Sequence, residues 1–404
     1  MDREVKKLIE AERGRQSKTI NLIASENYVS KNVSAALGSV FVNKYAEGYP
    51  KARYYAGNEI VDALEELAGK RARKLFALSS SRWDVNVQPY SGSPANLAVL
   101  HALLPEGSKV MAMALGMGGH LTHGSKVSVT GRLWEQVPYG VDRLSEEIDY
   151  GELLHIALIE RPNMIIAGGS AYSRVVDFKK MRMIADEVKA LLFVDMSHFA
   201  GLVAGKAYPS PFPYADIVTT TTHKTLRGPR SAIIFSKKEY TPAVRKAVFP
   251  GLQGGPHMNQ IAAVAVALAE AATPSFSRYA NQVIKNAQAL SEELHRLGWR
   301  IVSGGTDSHL FLVDVMSRGF SGGVAGDRLE KIGVVLNKNM IPFDERKPSD
   351  PSGIRIGTAA VTTRGMKEKE MKAIARIVSQ GILKKDVADA KKTVDALCEK
   401  YPLR

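Results

Sequence analysis

The run Ala190-Leu191-Leu192-Phe193-Val194-Asp195-Met196-Ser197-His198, followed by Asp216-Ile217-Val218-Thr219-Thr220-Thr221-Thr222-His223-Lys224, decides the reading of this chain. Each half is a short apolar stretch that closes on ionisable or hydroxylated residues. Such stretches lack polar alternation and read as strands covered on both faces, as in a mostly parallel sheet. Similar stretches stand at Lys109–Ala114, Met164–Ala167 and Ser231–Phe235, and strand-like Val85–Val87 precedes them. Helical patterns at Ile60–Leu75 and Ala95–Leu103 alternate with them, the second opening on Ser93-Pro94, where a proline suits a helix start. The alternation predicts an α/β fold with helices covering the sheet.

Working outward, Thr273-Pro274-Ser275 interrupts the pattern after an Ala-rich helix at Asn259–Ala272. An amphipathic helix (Tyr279–Leu297), strands at Arg300–Val302 and His309–Val313, and helices near Gly326–Ile332 and from Lys367 onward follow. This predicts a helical arm over residues 1–20, a large domain over 21–272 and a smaller α/β domain over 273–404. No internal repeat or low-complexity segment interrupts them.

Composition narrows the classes. No apolar run reaches the roughly 18 residues that span a bilayer, and Met1–Lys18 is charged and helical, unlike a secretory signal. A single cysteine, Cys398, rules out an internal disulfide framework and fits the cytoplasm. The net charge of +14 comes from Lys and Arg spread along the chain among acidic residues. That reads as a solvated basic surface before it reads as an attractor of anionic ligands, and neither a nucleic-acid nor a membrane partner is expected.

In open α/β sheets ligands bind at the carboxyl ends of strands, so Asp195 and Lys224 can face one crevice. A carboxylate and a lysine amine are what pyridoxal phosphate requires: the amine forms an imine with the cofactor, and the carboxylate keeps the pyridine nitrogen protonated. Alone, the pair would read as a loop cap and a surface lysine. The four threonines before His223-Lys224 offer hydroxyls to a phosphate and favour the cofactor. Ser91-Gly92-Ser93-Pro94-Ala95-Asn96, set between a strand and a helix, is a second phosphate cradle. Gly118-Gly119-His120-Leu121-Thr122-His123-Gly124 lacks the cysteines or acidic cluster of a metal site, so no metal is expected, and an imidazole lying against a flat cofactor fits better.

With these residues quoted, the chain resembles serine hydroxymethyltransferase over nearly its whole length. Further matching segments are Leu22–Asn27, Lys44–Pro50, Arg53–Tyr55, Ser170–Ser173, Val194–Leu202, Thr219–Arg230, Gly251–His257, Asn337–Asn339 and Gly353–Arg364. The resemblance implies fold type I of the pyridoxal-phosphate-dependent transferases, with a mostly parallel seven-stranded sheet. It also implies interconversion of serine and glycine, with one carbon moved to or from a reduced pterin, tetrahydrofolate or a modified form. A homodimer with active sites at the interface is implied as well.

By the same resemblance Lys224 carries the cofactor, Asp195 meets the ring nitrogen, His120 stacks on the ring and His198 contacts its phenolic oxygen or the substrate. Ser91, Gly92, Ser93 and His223 surround the phosphate, joined by Gly254 and Gly255 of the neighbouring subunit. Ser170 lies near the cofactor and Thr222 beside the lysine. Arg355 grips the substrate carboxylate, a bidentate task that suits a guanidinium, with Ser25 beside it and Arg230 in the surroundings. Glu47 is the acid/base, with Tyr45 and Tyr55 nearby across the interface. Leu115, Leu121 and Asn339 line the pterin site. Tyr90, Pro94, Gly116, Met117 and Ser231 depart from the common pattern and leave the choice of pterin open. A pterin-independent aldolase acting on β-hydroxy amino acids is the nearest alternative, but it has no need of a pterin pocket. An RNA-binding relative without activity would not need Lys224, Asp195, His120 and Arg355 together.

Overall fold

The computed structural model describes residues 1–384 and 387–403, which fall into two compact units. One comprises Val29–Ala280; the other joins Met1–Tyr28 to Asn281–Arg404. The N-terminal segment, read from sequence as a separate arm, therefore groups with the C-terminal residues. Its reason is local: Ile20–Asn21 pairs in parallel with Val334–Val335, and Ile20 and Leu22 are buried in one core with Phe311, Ile354 and Ile356. The division falls at 280, not 272, because Thr273-Pro274-Ser275 starts a helix, Pro274–Arg296, that runs on past it.

The Val29–Ala280 unit is built on seven strands, β1 (Trp83–Asn86), β2 (Lys109–Met113), β3 (Glu135–Tyr139), β4 (Met164–Ala167), β5 (Leu191–Asp195), β6 (Ile217–Thr221) and β7 (Ala232–Lys237). Their order across the sheet is β1-β7-β6-β5-β4-β2-β3. β7 runs antiparallel to both neighbours, and the pairings from β6 across to β3 are parallel. The expected strands are present with ends shifted by a residue or two. β3 escaped the sequence reading because it carries Pro138 and two exposed positions; it sits at the sheet edge, paired only with β2, where a missing N–H is tolerated.

The apolar runs behave as both-face burial demands: every residue of β4 is fully enclosed, as are Leu192, Phe193 and Val194 of β5. Phe193, Ile166 and Ile217 join Ala98, Val99 and Leu100 of helix Gly92–Leu103 in one core. Since β6, β5, β4 and β2 are neighbours and parallel, the loops that follow them emerge along one edge of the sheet. Those loops hold His120, Ser170, His198, His223 and Lys224.

The other unit has a four-stranded antiparallel sheet, in which Gly353–Gly357 lies between Leu310–Asp314 and Asn337–Asn339. Helices Gly322–Lys331, Glu368–Leu383 and Ala388–Lys400 contribute to its core.

Candidate functional site

Asp195 ends β5 opposite Thr219 of β6, and its backbone is fixed by that register. Its Oδ2 accepts from Asn96 Nδ2 at 2.8 Å and faces His123 Nε2 at 3.0 Å; its Oδ1 accepts from the Ser197 amide at 3.0 Å. Facing a carboxylate, His123 Nε2 carries a proton. Burial alone would raise the Asp195 carboxyl, but the hydrogen bond and attraction of the His123 ring hold it well below the usual carboxylate range. The group stays ionised, as a partner for a protonated pyridine nitrogen must.

Lys224 lies three residues beyond β6 and is buried, and its Nζ donates to Thr221 Oγ1 at 3.0 Å. Thr221 is in turn tied to Ser197: its amide donates to Ser197 Oγ at 3.0 Å and its hydroxyl to Ser197 O at 3.3 Å. Ser197 thus bridges the two groups, and the amine and the carboxylate share one hydrogen-bonded neighbourhood. The hydroxyl that meets the lysine is that of Thr221, whereas the expected Thr222 donates its own to Pro229 O at 2.6 Å.

Two observations fit a phosphorylated ring at this place. A Cβ on Gly92 would lie 2.7 Å from Thr221 Cγ2, so the start of helix Gly92–Leu103 approaches the lysine segment as only glycine allows. Ser91, the N-cap, makes no side-chain cap hydrogen bond, which leaves its hydroxyl and the first helical amides for an anion. The second is His223, whose Nδ1 is buried without a hydrogen-bond partner among the described residues. Burial, reinforced by the charges of Lys224 and Arg230, pushes His223 down to about 3. His198 is buried in the loop after β5 and its carbonyl accepts from Thr225 Oγ1 at 2.8 Å, while Arg230 is exposed.

The loop after β2 supplies His120, half-buried, whose Nδ1 is 2.8 Å from Thr122 Oγ1. Gly118, at φ 110°, brings its carbonyl to the amides of Ser170 and Ala171 at 2.7 and 3.1 Å, which joins this loop to the one after β4. Leu115 and Leu121, on either side of the Gly118-Gly119 turn, are 41% and 45% exposed, an apolar pair available to a flat ligand.

A second cluster in the same unit holds Glu47. Tyr45 Oη donates to Glu47 Oε1 at 3.2 Å, and Tyr45 and Tyr55 meet edge to face with centroids 5.0 Å apart. That hydrogen bond raises the Tyr45 hydroxyl above its ordinary value. A Cβ on Gly254 would sit 3.2 Å from Glu47 Oε1, so the Gly254-Gly255 turn lies against the Tyr45–Glu47 pair within one chain. A cavity of about 430 Å³ opens here, lined by Phe41, Tyr45, Tyr90, Gly254, Gly255 and His257 among others. Tyr90, the residue that departs from the common pattern, stacks on His257 at 4.2 Å and donates its hydroxyl to Gly255 O at 2.9 Å.

In the other unit Arg355 is buried on the central strand of its sheet, with Nε donating to Asn337 Oδ1 at 3.0 Å. Burial lowers it to about 10, so it remains a cation at neutral pH. Asn339 pairs with Gly353 two residues before Arg355. Gly357 donates to Leu22 O at 2.8 Å and packs on Ala24, which sets Ser25 beside the end of that strand.

Asn96, His123 and Ser197 stand within the quoted motifs with no task of their own assigned, and Thr221, read as a phosphate hydroxyl, instead bonds Ser197 and Lys224. Their signal was weak by nature: polar side chains in short motifs show no sign of which carboxylate or amine they will meet.

A lysine amine and a permanently ionised carboxylate at the carboxyl edge of a doubly covered, mostly parallel sheet define a pyridoxal-phosphate-dependent enzyme of fold type I. The serine hydroxymethyltransferase family model matches residues 1–378. A serine hydroxymethyltransferase from Desulfotalea psychrophila is 52% identical over 99% of this chain and 94% of its own length. The chain belongs to the serine hydroxymethyltransferase family: it interconverts serine and glycine, with pyridoxal phosphate as cofactor and tetrahydrofolate as the one-carbon carrier.

Proposed function

We propose that this reaction is carried by the residues assembled above, in a homodimer in the cytoplasm. The observation that carries the reading is the run of hydrogen bonds from Lys224 through Thr221 and Ser197 to Asp195. Pyridoxal phosphate, when bound, supplies an electron sink for bonds broken at the amino acid Cα. Asp195 holds a proton on the ring nitrogen. Lys224 anchors the cofactor through its amine, and Ser91, Gly92, Ser93 and His223 receive the phosphate. His120 covers the ring face, while His198, Ser170 and Thr222 complete the surroundings.

Arg355, with Ser25, orients the substrate through its carboxylate, a planar fork matching a planar acceptor. Glu47 moves a proton at the serine hydroxyl oxygen, and Tyr45 and Tyr55 keep it in place. Leu115, Leu121 and Asn339 receive the pterin, and Arg230 stays at the periphery. Exposed Val40, Val42, Tyr45, Tyr54 and Tyr55, grouped within 16 residues, support a subunit interface on this face, with Gly254 and Gly255 offered to the partner's phosphate. The single buried cysteine fits a reducing compartment, and no helix among the described residues is long and apolar enough to cross a membrane.

Lys224→Ala tests the assignment. Serine turnover should fall by at least about 10³-fold with the loss of the anchoring amine, and the visible absorption of the bound cofactor should shift. Substantial turnover in that variant would remove Lys224 from the reaction.

A further inference from the structure

Asn96 is almost wholly buried, and both its amide nitrogen and its amide oxygen are engaged in hydrogen bonds. Thr219 Oγ1 lies 2.7 Å from its Oδ1, Asp195 Oδ2 2.8 Å from its Nδ2, and Thr122 Oγ1 2.9 Å from the same nitrogen. An ionised carboxylate can only accept, so the atom facing Asp195 is the NH₂ group, and its second hydrogen goes to the Thr122 hydroxyl. Having accepted from Asn96, that hydroxyl has one hydrogen left to give. His120 Nδ1 is 2.8 Å away, and the Thr122 amide donates to the same ring nitrogen at 3.2 Å. Two donors converge on Nδ1, which therefore presents its lone pair.

We propose that Asn96 and Thr122 are positioning residues that fix His120 as the tautomer protonated at Nε2 and tie its ring to the Asp195 carboxylate. The inference rests on the reading that His120 and Asp195 meet the face and the nitrogen of one cofactor ring. On that reading the two contacts are made by elements far apart in sequence, and the Asn96–Thr122 link keeps them in register. His120 cannot turn about its χ2 bond without breaking a hydrogen bond in a network closed to water: Asn96, Thr122 and Thr219 are all buried. A proton on Nδ1 would face two donors, so the network opposes the other tautomer as well as rotation.

The test is ¹⁵N solid-state NMR of the histidine-labelled holoenzyme, with the His120 signals assigned by their absence in His120→Gln. The expected result is a bare Nδ1 and a protonated Nε2; a protonated Nδ1 overturns the proposal. A second arm compares Thr122→Val, which exchanges the hydroxyl for a methyl group, with Thr122→Ser, which keeps it. Cofactor release on dilution, followed by visible absorption, should quicken about tenfold in the valine variant and return to within about twofold in the serine variant. Equal release from the two variants overturns the positioning role. Failure of the cofactor-site reading looks different, because Lys224→Ala would then keep its turnover while the His120 tautomer stands as derived.

Discussion

Asp195 is 7% exposed and takes hydrogen bonds from Asn96, His123 and the Ser197 amide, whereas Glu47 is half-buried and meets Tyr45, itself 53% exposed. In the proposed reaction these two carboxylates serve together, and they are built on opposite plans. A group that must keep one charge state is enclosed by donors, so its proton affinity is set by the fold. The group proposed to exchange protons with substrate is left near the surface, where a bound ligand can complete its surroundings. Rigidity is concentrated where charge must not change.

The contrast can be broken most sharply at the enclosed end. Asp195→Ala should lower kcat by about 10²–10³-fold, because a charge aimed at the reacting ring is lost. It should also cost about 3–5 kcal/mol of stability, because His123 and Asn96 are left facing a void. An unchanged melting temperature in this variant would show the network to be slack. At the open end, Glu47→Gln should reduce serine hydroxymethyl transfer by about 10²-fold or more while the cofactor still binds. Its melting temperature should barely move, since a substitution outside any buried network stays within about 0.5 kcal/mol. Normal transfer in Glu47→Gln would end its role.

Arg355→Lys bears on the substrate alone. The Michaelis constant for serine should rise about tenfold as the bidentate fork is lost, with cofactor affinity unchanged. A matching loss of cofactor would mean that Arg355 does more than hold the carboxylate.

The last effect is a slope. His223 takes up a proton near pH 6.5 when unfolded but only near 3 when folded, so between those values the unfolded chain binds more protons. Stability therefore falls as pH drops through that window, and His223→Gln should flatten the fall by up to one proton. Denaturant titrations from pH 7 to pH 4 measure it, and an unchanged slope would show that His223 is not buried neutral.

Much of this was legible in the chain. β4 and β5 announce themselves because an uninterrupted apolar run can only be a doubly covered strand or a buried helix, and four or five residues are too few for the latter. Asp195 follows from where β5 ends, and Lys224 from where β6 ends. β3 was not legible, since Pro138 and its exposed positions hide the alternation that an edge strand still tolerates. The N-terminal helix could not be placed either: Ile20–Asn21 is too short to signal a strand, and its partner lies more than 300 residues away.

The sequence by itself determined which segments become strands and which ionisable groups stand at their ends, because both depend on neighbours along the covalent chain. Tertiary structure alone decided who meets those groups. Asn96 and His123 reach Asp195 from 99 and 72 positions away, and Thr221 takes the Lys224 amine in preference to Thr222. Strand order and register set these partners, and neither is written in any local pattern of residues.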